Sequence, residues 1–129
     1  MIVVGLGSRS GVTTAALAAA VRQVLADAGL GFPDVTALAT LDRRASSSEV
    51  RVLVAEAGWR LVGFSAGELA AVQVPSPSAT VAAVTGTPSV AEAAALLAAG
   101  PNGGLIVPKK IIGTITVAVA TDVSEGAVE

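Results

Sequence analysis

The chain opens on an unbroken apolar run, Ile2-Val3-Val4, that leads into Gly5-Leu6. Continuous hydrophobicity without alternation marks a strand covered on both faces, so Ile2 to Leu6 is predicted to be a buried first strand. Beyond Gly11 the period changes. Val12, Leu17, Val21, Val24 and Leu25 recur at helical spacing, with Ser10 as the expected N-cap and Gly29 as the stop. Phe32-Pro33-Asp34 reads as a turn, Val35 to Leu41 as a second strand and Arg60 to Phe64 as a third. Between the latter two, a helix opens in Ser46-Ser47-Ser48-Glu49 and ends near Gly58.

Ser46 and Glu49, Ser65 and Glu68, and Ser89 and Glu92 share the spacing Ser-x-x-Glu. In each, the serine oxygen can accept a free N–H of the first turn while the glutamate reaches back to the N–H of the cap, so all three predict helix starts. The short helix after Ser65 stops before Val72-Gln73-Val74-Pro75, because prolines forbid its continuation. Ser78 to Thr85 suggests another short helix, and Ser89 to Ala99 an Ala/Leu-rich one closed by Gly100. Leu105 to Pro108 and Thr114 to Ala120 are expected as strands joined across Lys109 to Gly113. That connection is too short for a crossover and makes them an antiparallel pair. The succession predicts a three-layer α/β/α fold with a mixed, mostly parallel sheet of about five strands ending in an antiparallel hairpin. One domain is expected over residues 1–121, with a polar tail at 122–129.

Composition narrows the function classes. The sequence is 53% hydrophobic but only 2% aromatic, so small aliphatic side chains build the core and no aromatic stacking platform is available. A net charge of −2 argues against a nucleic-acid footprint. Cysteine and histidine are both absent, which removes disulfides, thiolate chemistry and the commonest transition-metal ligands; no metal site and no cofactor are expected. The start lacks a basic signal-peptide region, and the uncharged stretch from Leu69 to Ala91 is broken by Gln73, Pro75, Pro77 and Pro88. A cytoplasmic protein without a membrane span is the expectation.

"GLGSRSGVT", Gly5 to Thr13, lacks the Gly-Lys-Ser/Thr ending of a P-loop, and its glycines miss the dinucleotide spacing. What remains is a strand-to-helix turn presenting Ser8, Arg9, Ser10 and free N–H groups at a positive helix end. It is either a general anion site or simply a turn with a cap. Asp42 and Arg44 follow the second strand and would share one sheet edge with that loop; a solvated turn is the alternative. Pro108-Lys109-Lys110 holds both lysines of the chain, and Gly86-Thr87-Pro88-Ser89 leads into a capped helix containing Glu92. Without His, Cys or Tyr, general acid–base work would fall to Asp42, Glu68, Glu92 or a lysine. That poverty favours binding over chemistry.

Taken in order, "VVGLGSRSGVT", "LATLDRR", "VPSPS", "GTPSVAEAAAL" and "LIVPKKIIGTITVAVA" resemble the CobE/CbiG C-terminal domain family of cobalamin biosynthesis. The resemblance runs from Ile2 to about Ala120. It implies a three-layer α/β domain that acts on corrin-ring intermediates, either as a stand-alone binder or as part of an enzyme that opens a lactone and releases acetaldehyde. The chain is expected to be the stand-alone kind, with docking on other pathway enzymes as a further alternative. Gly5, Gly7 and Arg9 match a GxGxR start that would face the ligand, and Lys109 or Lys110 matches a late lysine. Ser8, Ser10, Asp42, Arg44, Gly86, Thr87, Ser89 and Glu92 complete the expected ligand-binding set. Where the family carries a lysine and then an Asp-Glu pair, this chain has Arg44 and then Ala45-Ser46-Ser47-Ser48-Glu49, so the cation is kept and the acidic pair is not.

Overall fold

The predicted first strand, β1 (Ile2–Gly7), lies at the centre of a five-stranded sheet. The computed structural model describes residues 2–8, 12–70, 90–100 and 103–122. After β1 come α1 (Thr14–Asp27), a single 3₁₀ turn at Phe32–Asp34, β2 (Ala37–Leu41), α2 (Asp42–Ala45), α3 (Ser48–Ala57), β3 (Arg60–Phe64) and α4 (Ala66–Ala70). The described chain resumes with α5 (Val90–Ala99), β4 (Gly103–Ile112) and β5 (Ile115–Asp122). Strand order is β3-β2-β1-β5-β4. β1 to β3 pair in parallel, and β5 runs antiparallel to both β1 and β4, so β5 alone among the five opposes the common direction. The expected mixed sheet with a closing hairpin is therefore present.

Helices cover both faces. On one side Leu17, Val21, Val24 and Leu25 of α1 and Val50, Leu53 and Val54 of α3 pack on Val4, Leu6, Leu38, Val117 and Val119. On the other, Ala93, Ala94, Ala95 and Ala99 of α5 and Leu69 of α4 meet Val3, Ala39 and Ala120. This is the three-layer arrangement, with β1 hydrogen-bonded on both edges and buried between helices.

Several local expectations give way to tertiary partners. α1 starts at Thr14, and its cap is Thr13, whose Oγ1 accepts the Ala16 N–H at 3.1 Å; the role expected of Ser10, which lies outside the described residues, is taken. The Ser46–Glu49 box does not form. α2 intervenes, and the hydroxyls of Ser46 and Ser47 turn back to donate to the carbonyls of Asp42 (3.2 Å) and Arg44 (2.7 Å), while Ser47 holds the N-cap position of α3 without a side-chain cap bond. The Ser65–Glu68 box does form, with Glu68 accepting the Ser65 N–H at 2.8 Å and Ser65 accepting the Glu68 N–H at 3.1 Å. β2 begins at Ala37 rather than Val35, whose N–H closes the 3₁₀ turn on the Phe32 carbonyl. β4 does not stop at Pro108: it continues through both lysines to Ile112, and the turn is Gly113-Thr114, with Gly113 at a φ of 63° that favours glycine. Register breaks between Leu105 and Val107 and between Val107 and Lys110 accommodate the proline on this edge strand. The segments expected at Val72 to Pro75 and Ser78 to Thr85, and the tail beyond Asp122, lie outside the described residues.

Candidate functional site

Parallel strands bring their C-terminal ends to one edge, and the register locates the expected site residues along it. Lys110 pairs with Val117, Val117 with Leu6, Leu6 with Thr40, and Thr40 with Gly63. This row crosses the whole sheet, so Lys110 at one end stands about 19 Å from Gly63 at the other by ordinary strand spacing. Asp42 sits at the Gly63 end, its Oδ1 only 2.7 Å from where a Cβ on Gly63 would lie. Glycine at 63 is what lets α2 settle on β3. Arg44 follows in α2 and is half-buried, while Asp42 and Lys110 are exposed.

The middle of the edge belongs to β1 and α5. Gly7 ends β1 with Val90 and the Ala91 nitrogen 3.7 and 3.9 Å from its notional Cβ, so the first turn of α5 hangs directly over the end of the strand. The helix runs from there to Ala99, which packs on Gly103 at the opposite edge of the sheet. Its N-terminal, positive end is therefore directed toward the edge that carries Gly7 and Ser8. Gly5 lies deeper. A Cβ there would come within 1.8 Å of the Ala91 carbonyl oxygen, and both strand edges of Gly5 are paired, with Ala39 and Ala118. The structure gives Gly5 the work of admitting α5, and it supports the site from beneath.

Glu92 is fully buried in the first turn of α5, and its Oε2 accepts the Lys109 N–H of β4 at 2.9 Å. That carboxylate oxygen ties helix to sheet. The two lysines separate: Lys110, opposite Val117, shares the face of α1, while Lys109 is held by its backbone against α5. Sequence reasoning passed over Thr40, which is fully buried and donates to the Leu6 carbonyl at 2.7 Å, locking the ends of β1 and β2 together. A hydroxyl within the apolar run Leu38-Ala39-Thr40-Leu41 was the available signal. On the α1 face beside this edge, Val12, Ala16 and Ala20 and the hairpin residues Ile112, Gly113 and Ile115 line an open apolar groove of about 370 Å³.

The structure thus brings Gly7, Ser8, Asp42, Arg44, Glu92, Lys109 and Lys110 to one edge, spread along it rather than gathered at a point. Arg9, Ser10, Gly86, Thr87 and Ser89 lie outside the described residues. Among the described residues there is no group of three or more acidic, His or Cys side chains that could hold a metal ion. No helix among them is long and apolar enough to cross a membrane.

Residues 2–120 match the family model described as "Cobalamin synthesis G C-terminus". The cobalt-precorrin-5A hydrolase of Priestia megaterium is 29% identical over 93% of this chain, which spans 32% of that protein. Protein CobE of a Sinorhizobium species is 33% identical over 92% of the chain, which here spans 79% of the relative. Among solved structures, CobE from the vitamin B12 pathway superposes with a TM-score of 0.82 at 28% identity, covering 93% of this chain and 89% of that one. The cobalamin biosynthesis protein chiG of Agrobacterium tumefaciens gives 0.72 at 30% identity, over 94% and 98% of the two chains.

Proposed function

Because the chain belongs to the cobalamin synthesis G C-terminus family, and so to cobalamin biosynthesis, we propose that it binds a corrin-ring intermediate of that pathway in the cytoplasm and hands it on without altering it. The observation that carries this reading is the Lys110-to-Gly63 row. Cations stand toward both ends of one sheet edge, Lys109 and Lys110 on β4 and Arg44 on α2, with the positive end of α5 between them. Corrin precursors are apolar macrocycles ringed by acetate and propionate arms. Charges spaced along an edge suit arms spread around a ring, whereas a single phosphate would need its donors clustered. The groove beside Ile112 offers aliphatic surface for the rim of the macrocycle.

The hydrolase activity carried in the name of the Priestia relative belongs to a protein about three times as long as the matched stretch. In this chain Glu92 is buried and bonded to β4, Asp42 is exposed, and neither stands beside a His, Cys or Tyr. Catalysis by this domain alone is therefore not expected. Titration with a series of purified precorrin intermediates, following absorbance and product mass together, tests both points. Binding with unchanged mass and no acetaldehyde release is the expected result. Turnover lost in Asp42→Asn would replace the carrier by an enzyme. Arg44→Ala and Lys110→Ala should each weaken binding by about 1.5–3 kcal/mol, the loss of one charge-assisted hydrogen bond; unchanged affinity in both would remove the edge as the binding surface.

A further inference from the structure

The break in β4 has a defined shape. Val107 stands opposite Val119 and Lys110 opposite Val117, so two residues, Pro108 and Lys109, occupy the place facing the single residue Ala118. Two residues against one is a β-bulge, a device that re-aims side chains and bends a strand. At this bulge, proline has no N–H to offer β5, and the Lys109 N–H goes instead to the buried carboxylate of Glu92 on α5 at 2.9 Å. One α5 side chain thereby satisfies the donor that the bulge takes out of the ladder.

We propose that Glu92 is a positioning residue, which clamps the Pro108–Lys109 bulge to the first turn of α5 and so sets where the two lysines stand. The clamp puts Lys110 on the α1 face, in line with Val117 and beside the groove at Ile112, and keeps Lys109 next to the positive end of α5. If the extra residue were drawn back into a regular ladder, alternation would turn Lys110 to the other face, because a one-residue slip exchanges the two faces of a strand. Glu92 therefore controls both cations at this end of the edge without touching a ligand. Its role rests on the corrin-binding reading for its purpose and on the bulge geometry for its existence, and the experiment separates the two.

The first measurement needs no ligand. Hydrogen exchange at the Lys109 amide is compared in the wild-type chain, Glu92→Gln, whose amide oxygen still accepts, and Glu92→Leu, which cannot. Exchange at Lys109 should speed up by about tenfold or more in Glu92→Leu while the Val117 and Val119 amides stay protected, and should stay near wild type in Glu92→Gln. The second measurement is affinity for cobyrinic acid, a corrin whose side arms end in free carboxylates. Glu92→Leu should bind about tenfold more weakly, Glu92→Gln nearly normally, and Lys109→Ala should add less in the Glu92→Leu background than it costs alone. Should Glu92→Leu fail to fold, Glu92→Asp, with the same carboxyl group on a shorter arm, replaces it with the same expectations. Unchanged Lys109 exchange overturns the clamp. Faster exchange with normal cobyrinic acid affinity overturns its positioning role, and absence of binding by the wild-type chain overturns the corrin reading while leaving the bulge anchored as described.

Discussion

The two faces of the sheet are packed by opposite means. On the α1 and α3 face, Leu and Val side chains interlock with Val4, Leu6 and Leu38, and Trp59 closes the layer, its Nε1 donating to the Phe32 carbonyl at 3.0 Å. On the α5 face, alanines lie almost flat on the strands, and Gly5 lets the Ala91 carbonyl approach where any side chain would collide. The first face gains its stability from buried volume and can adjust through rotamers. The second has little side chain to adjust, so it holds α5 at one height and one direction. The face that offers little freedom is the one whose helix start overhangs the candidate site.

Gly5→Val is the harshest way to break this contrast, since its side chain must displace helix backbone; we expect loss of a cooperative unfolding transition in denaturant. A well-folded Gly5→Val would mean that α5 can lift. Adjacent residues on β2 then compare the faces directly. Leu38→Ala should cost about 2–5 kcal/mol through the cavity it leaves. Ala39→Leu should cost about 1–3 kcal/mol through overpacking beneath α5, read from the same denaturation midpoints. A neutral Ala39→Leu would show that the alanine face is loosely packed after all. Thr40→Val removes the bond to the Leu6 carbonyl and should cost about 1 kcal/mol. The smallest effects concern caps: Thr13→Ala should lower stability by about 1 kcal/mol, whereas Ser10→Ala should fall within about 0.5 kcal/mol of wild type. The reverse order would move the start of α1 back to Ser10.

Much of the architecture was legible because it follows from short-range rules. Ile2-Val3-Val4 reads as a strand buried on both sides and is one, Val12 to Leu25 carries a helical period, and Ser65 with Glu68 forms the box its spacing predicts. Errors arose where two local readings competed. Thr13 and Ser10 are both good caps, and Ser46 and Ser47 can serve the turn behind them as readily as the helix ahead. Pro108 looked like the end of a strand because a proline cannot join a regular ladder, yet a bulge on an edge strand absorbs it.

By itself the sequence determined the fold class, the element types and the kinds of group available for recognition, since periodicity, capping spacing and the absence of His and Cys depend on near neighbours and composition alone. Tertiary structure decided what each of those groups does. Gly5 became a seat for α5, Glu92 an anchor for β4, and Lys109 and Lys110 were parted. These assignments join residues far apart in the chain through strand register and helix height. Both are set by how the layers pack, and neither is encoded in any local stretch.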